Sequence, residues 1–216
     1  IMPSLVGSEM CIRDSFLAEA DELLGSEALS SPVSVELITQ APDPDAAALG
    51  ILRTIEALDE DGQRRFAAAV DEHSNFLPRL SHLAGTSDAS VDHFVRRPEA
   101  VFLLASEDQT LLLGTEAAEP EQLRARLFEA VGADPAAEVP VASVTGEDAV
   151  VALRQAYRDL LVQLTCDDLG SLFANEIVCD VSALLADMAA AAIDAALAVA
   201  RAETCLLYTS DAADDP

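Results

Sequence analysis

Lysine and tryptophan are absent from all 216 residues, and the twelve basic residues are all arginine. Against them stand 39 acids, giving a formal charge of −27. Phosphate neutralisation needs clustered cations, and the largest basic clusters here are the pairs Arg64-Arg65 and Arg96-Arg97. This scarcity argues against a nucleic-acid groove or an anionic-membrane patch. The acidic excess reads instead as a solvated, self-repelling surface.

Cysteine is sparse and scattered: Cys11, Cys166, Cys179 and Cys205 form no CxxC pair and have no histidine at metal-ligand spacing. Neither a zinc site nor a disulfide framework is indicated, and a reducing cytoplasm fits. His73, His82 and His93 are too far apart to ligate a metal from one helical face, and none belongs to an HExxH pair. His93, with Arg96 and Arg97 close behind, reads as favourable charge near a helix C-terminus. There is no glycine-rich phosphate loop, no GxSxG and no Cys/His arrangement. Asp167-Asp168 lies near a helix end without a partner nucleophile and reads as a solvated surface pair. No residue is therefore assigned to catalysis, to a cofactor or to a metal.

One long apolar run is present, Ala183 to Ala200, but Asp187 and Asp194 sit inside it. Two carboxylates argue against a bilayer span. Arg13 follows the first apolar residues with no sustained hydrophobic stretch, so no signal peptide is read there.

The two ends differ in texture from the interior. Residues 1–15 (IMPSLVGSEMCIRDS) and 205–216 (CLLYTSDAADDP) resemble translated sequencing-adapter read-through and are set aside as non-native segments. Residues 16–204 keep 34 acids and 11 arginines, a net charge of −23. The acidity belongs to the interior.

Within it, residues 16–45 read as a poorly ordered lead-in, punctuated by Pro32, Pro42 and Pro44. The alternation Val33-Ser34-Val35-Glu36-Leu37 allows a short strand or a helix. A first helical unit spans 46–132. Leu49, Leu52, Ile55 and Leu58 make a stripe behind Pro44, a residue suited to a first helical turn. A second helix runs from about Gln63 toward Leu83, kinked before Pro78 and stopped at Gly85. A third is capped by Ser87 or Asp88 and ends at Arg97, because Pro98 disfavours helical geometry before it. The patches Val101–Leu104 and Leu111–Leu113 could form a small hairpin, and Glu121–Val131 reads as a helix closed by Gly132.

Residues 133–146, with Pro135, Pro140 and Gly146, read as a connector. A second helical unit spans 147–204. Its first helix, capped by Thr145, carries the stripe Val150, Leu153, Tyr157, Leu160 and Leu164. Its second, about Asn175–Ala202, has the seam Ile177, Val181, Leu184, Met188, Ala191, Ala195 and Ala198, flanked every seventh residue by Asp180, Asp187, Asp194 and Arg201. The fold class expected is all-α or predominantly α, bundle-like.

Two groups of residues resemble hallmarks of the bacterial glutamine synthetase adenylyltransferases, bifunctional enzymes that attach AMP to glutamine synthetase and remove it. The first is Leu77-Pro78-Arg79-Leu80, Leu83 and Gly85, then Asp92-His93-Phe94-Val95-Arg96-Arg97-Pro98-Glu99. The second runs from Val131-Gly132-Ala133-Asp134-Pro135 through Leu153-Arg154, Tyr157-Arg158 and Leu169 to Ala196-Leu197-Ala198-Val199-Ala200-Arg201-Ala202-Glu203. The likeness covers about residues 45–204. Two departures stand out: no basic residue between Gln163 and Asp167, and Arg97 in place of a frequent histidine.

The resemblance implies the N-terminal helical part of such an enzyme, inactive by itself and ending short of the first nucleotidyltransferase core. ATP and Mg belong to the full-length parent, glutamine synthetase and a nitrogen-signalling PII-type protein are the implied partners, and the cytoplasm is the implied location. The family's metal-holding Ser-Asp-x-Asp element is only imitated by Ser210-Asp211-Ala212-Ala213-Asp214, one residue too long, without its glycine-rich stretch and inside the foreign tail. A non-enzymatic helical interaction module is the alternative, with the seam Ile177–Ala198 as a partner-facing groove.

Overall fold

The structure, a computed structural model, describes the backbone of residues 6–171 and 174–211 and the side chains of residues 13–171 and 175–204. Among the described residues the chain is all-α, with nine α-helices, two 3-10 helices and no strand. The described residues divide into two compact units, 6–111 with 165–171, and 112–164 with 174–211.

The first unit is organised around α3 (Pro44–Ala57), which packs against α1 (Val6–Leu24), α5 (Phe76–Ala84) and α6 (Asp88–Arg96). A helix with neighbours on several sides cannot be amphipathic in the ordinary sense. Ala47, Ala48, Ile51, Leu52 and Ile55 are all buried, whereas Leu49 of the expected stripe is exposed. Gly50 explains how close the neighbours come: a Cβ there would lie 2.9 Å from both the Ala84 Cβ and a Val91 methyl. The buried Thr54 hydroxyl donates to the Gly50 carbonyl at 2.8 Å, so its burial leaves no orphaned polar atom.

Helix starts follow the local chemistry. Asp43 accepts the amides of Asp45 and Ala46, Asp59 that of Gly62, and Ser87 that of Ser90, ahead of α3, α4 (Glu60–Glu72) and α6. Residues 16–45, expected as a poorly ordered lead-in, carry the C-terminal half of α1 and all of α2 (Pro32–Thr39), and bury Leu17, Ala20, Leu29 and Ile38. Ser31 as cap and Pro32 at the first helical position decide Val33–Leu37 for helix. The Asp21 carboxylate holds the turn between α1 and α2 by accepting the amides of Leu29 and Ser30, each at 2.9 Å.

The expected kinked helix over 63–83 is instead two helices, α4 and α5, broken at residues 73–75. Pro78 falls in the first turn of α5, where its missing N–H would have had no partner anyway. Phe66 and Phe76 meet edge-to-face across this break, ring centroids 5.2 Å apart. No hairpin forms at 101–113. Pro98–Leu104 is a 3-10 helix that buries Val101 and Leu104.

The second unit contains the 3-10 turn Glu116–Ala118, α7 (Pro120–Ala130), α8 (Gly146–Gly170) as far as residue 164, and α9 (Ala174–Asp211). Its core joins Leu123, Leu127 and Phe128 of α7 and Leu160 and Leu164 of α8 to Leu184, Met188, Ala191, Ala195 and Ala198 of α9. Placing α7 in the first unit is thereby corrected, because its apolar face packs on the alanine seam of α9.

Residues 133–146 belong inside the second unit rather than between two units. Gly132 turns the chain with φ +63°, and the amides of Ser143 and Val144 return to the Val131 carbonyl. Further along, Ala142 donates to the Ala198 carbonyl and Arg201 to that of Pro140, which lays the segment along α9. Helix α1 begins within the segment read as foreign and α9 ends within the other. Among the described side chains, the buried face of α1 starts at Leu17.

Candidate functional site

The first hallmark group comes together around α5 and α6, and its charged residues Arg79, Asp92 and Glu99 are engaged with the protein itself. Leu77, Leu80 and Leu83 are core residues. Arg79 reaches across 25 to 30 residues and donates to the carbonyls of Leu104 (3.1 Å), Ser106 (2.9 Å), Asp108 and Gln109 (3.4 Å). One guanidinium fork thus holds down the loop leaving the 3-10 helix. At Gly85 a Cβ would press within 2.8 Å of the Asp43 carbonyl, so the close passage of the α2–α3 turn requires glycine.

Asp92 pairs with Arg53 at 2.8 Å and more distantly with Arg96 at 3.9 Å. His93, read from sequence as a charge near a helix end, does lie in the last turn of α6 but is buried beside Phe94. Glu99 pairs with Arg65 at 2.6 Å, and the Arg65 guanidinium lies 4.0 Å above the Phe102 ring.

Asp167, taken from sequence as half of a solvated pair, is buried and accepts the Leu111 amide at 2.7 Å, while Asp168 is exposed. Its neighbour Cys166 is also buried. Burial, with a smaller contribution from the Asp167 carboxylate, pushes the thiol up to about 12, against a small opposing pull from Arg79. A thiol so reluctant to ionise is not a nucleophile at neutral pH.

Of the second hallmark group, Asp134, Pro135, Arg201 and Glu203 take part in ties that close the second unit, whereas Arg154 and Arg158 are exposed. Arg124 donates to Asp194 (3.1 Å) and to the Pro135 carbonyl (3.0 Å) and lies 4.2 Å over the Phe128 ring, tying α7, the following turn and α9 together. Asp134 accepts the Ala136 amide, and Glu203 accepts the Gly146 amide at the start of α8, both within 3.0 Å. Asp194 and Arg201 of the seven-residue polar stripe are consumed by these ties.

Two of the hollows among the described residues bear on function. A cleft of about 600 Å³ in the first unit is lined by Glu27, Asp71, Ser31, Ser34 and Ser74 with apolar walls. Ser34 donates to the Ala28 carbonyl and Ser31 lies 2.9 Å from Ser34 Oγ. The cleft offers carboxylates but no basic side chain, a poor setting for a nucleotide phosphate. In the second unit, a groove of about 390 Å³ runs between α8 and α9, lined by Leu153, Arg154, Tyr157, Arg158, Ala192 and Ile193. A smaller one of about 200 Å³ continues it past Val150, Ala196 and Val199. Val150, expected in the buried stripe of α8, is exposed here. Among the described residues no group of three His, Cys, Asp or Glu side chains is placed to hold a metal ion. The Ser210–Asp214 imitation lies outside the described side chains.

No family model and no solved structure matches the chain significantly. Curated relatives do. Over 191 residues it is 35% identical to the bifunctional glutamine synthetase adenylyltransferase/adenylyl-removing enzyme of Nocardia farcinica, covering 84% of this chain and 18% of that protein. The protein of the same name from Bifidobacterium longum is 34% identical over 168 residues, 77% of this chain and 15% of the relative. That from Corynebacterium glutamicum is 30% identical over 216 aligned residues, 85% and 20% respectively. The likeness read from the hallmark residues therefore extends over most of the chain, which spans less than a quarter of the length of these curated relatives.

Proposed function

We propose that this chain is the N-terminal helical part of a bifunctional glutamine synthetase adenylyltransferase/adenylyl-removing enzyme, a scaffold beside the catalytic core that carries no catalytic group of its own. One observation carries this reading: the charged residues of the first hallmark group, and Asp134, Arg201 and Glu203 of the second, are spent on internal ties, while Arg154 and Arg158 stay exposed on α8. Arg79, Asp92, Glu99 and Glu203 all bind groups of their own unit. Their role is to fix two rigid units.

On this reading the parent enzyme performs nucleotidyl transfer with ATP and Mg outside this segment, in the cytoplasm. It takes glutamine synthetase as its protein substrate, the one named by its relatives. A nitrogen-signalling PII-type protein is its second expected partner, and neither nucleic acid nor a membrane is.

The test is to assay the purified 216-residue chain and the full-length protein from the source locus side by side. Glutamine synthetase is supplied with ATP and Mg in the forward direction, and adenylylated glutamine synthetase with phosphate in reverse. The full-length protein is expected to turn over in both directions and the chain in neither. Turnover by the chain alone, or a full-length protein inert toward glutamine synthetase, refutes the proposal.

A further inference from the structure

Helix α9 has two apolar faces and the second unit covers only one of them. The seam Leu184, Met188, Ala191, Ala195 and Ala198 is closed by α7 and the segment after it. The face carrying Ala192, Ile193, Ala196 and Val199 opens into the groove beside α8, leaving Ile193 69% and Val150 46% exposed. Residues 175–204 have a mean hydropathy of 1.8 in their most apolar stretch, long and apolar enough to cross a membrane, yet only 28% of that stretch is buried. A soluble helix of this composition needs a second neighbour.

We propose that the α8–α9 groove seats a helix from the part of the parent polypeptide that follows α9, with an apolar ridge in the groove and carboxylates along one flank. The inference rests on the reading of this chain as one segment of a longer enzyme. Three observations support that occupant.

The chain spans 15% to 20% of its relatives' lengths, so most of the parent polypeptide lies outside it. The groove is lined on α9 by residues from Ala189 to Glu203, the last turns before the segment that resembles read-through. A helix joined by a short connection of roughly 2 to 8 residues and running back antiparallel lies over this stretch, which is about 21 Å long. Finally, Arg154 and Arg158 stand exposed on successive turns of α8 at the groove wall. In a chain of charge −27 they mark the place where carboxylates of an incoming segment are welcome.

The experiment places a single cysteine in the groove by Ile193→Cys and a control by Ser182→Cys on the exposed side of α9, in backgrounds without other reactive thiols. Maleimide labelling rates are compared between the 216-residue chain and the full-length parent. The groove cysteine is expected to react about ten-fold more slowly, or less, in the full-length protein, with the control unchanged. A benzophenone maleimide at the same position should then cross-link, on illumination, within the same polypeptide to residues beyond α9.

Equal labelling in both proteins overturns the proposal. So does a cross-link to a second copy, to a different protein, or to lipid when vesicles of neutral and anionic phospholipid are present. A full-length protein that modifies glutamine synthetase but leaves the groove reactive defeats this inference alone. One with a protected groove and no activity toward glutamine synthetase defeats the functional reading alone.

Discussion

Replacing Arg79 with methionine should loosen the first unit without touching its core. The methionine stem fills much the same volume as the arginine stem, so the lost quantity is the fork of hydrogen bonds to Leu104, Ser106, Asp108 and Gln109. The bonds to Leu104 and Ser106 are partly buried, and each should contribute about 1 kcal/mol net. The two exposed bonds add a few tenths of a kcal/mol each, because water replaces them. A partly buried carbonyl left unpaired adds to the loss, so the expected destabilisation is about 2–3 kcal/mol. For a unit of this size that corresponds to a drop in midpoint of roughly 10 °C. Circular dichroism during thermal and urea unfolding reads the stability, and limited proteolysis between residues 104 and 110 reads the loop. Arg79→Lys should recover less than half, since an ammonium cannot serve four carbonyls arranged for a planar fork. A methionine variant within about 0.5 kcal/mol of the parent, with unchanged cleavage in the loop, refutes the hub role.

Gly132→Ala meets two penalties, a left-handed backbone at φ +63° and a Cβ placed 2.1 Å from Ser143 Oγ. It should cost about 2–3 kcal/mol in urea unfolding, and a neutral result refutes the tight turn. Gly50→Ala should lower the midpoint although alanine is the better helix former by about 1 kcal/mol, because Ala84 and Val91 must yield; a raised midpoint shows that α5 and α6 give way freely. Cys166 should resist alkylation at pH 8 while the exposed Cys179 reacts, with peptide mapping to separate them. The unfolded Cys166 thiol ionises near 9.0 and the folded one near 12, so the folded chain retains the proton longer and its stability should fall as pH rises from about 9 toward 12. Cys166→Ala should flatten that slope, and an unchanged slope assigns it to other groups.

The helices were legible where a local chemical signal coincided with a long apolar period. Pro44 before the stripe of α3, Ser87 and Pro98 around α6, and Gly132 after α7 all fall where the structure has helix ends. Residues 16–45 were not legible, because five alternating residues fit a strand as well as a helix until the Ser31 cap is seen to engage Ser34. The 3-10 helix at Pro98–Leu104 is too short to show a period, so its apolar patch suggested a strand. The break between α4 and α5 has no proline or glycine at residues 73–75 to announce it. The partners of Arg79 and Asp167 could not be read at all. Bonds spanning 25 to 56 residues leave no local pattern, and Asp167 looked like any acid near a helix end until Leu111 was found beneath it.

The ties that close the second unit join residues made far apart in time. Arg124 waits for Asp194, 70 residues later, and Pro140 for Arg201, 61 later. In the first unit, Arg53 meets Asp92 after 39 residues and Arg65 meets Glu99 after 34. During synthesis, therefore, α7 emerges with Leu123, Leu127 and Phe128 bare and stays so until α9 has cleared the ribosome. At about 5–20 residues per second that interval lasts several seconds, long enough for a chaperone to bind or for two nascent chains to stick together.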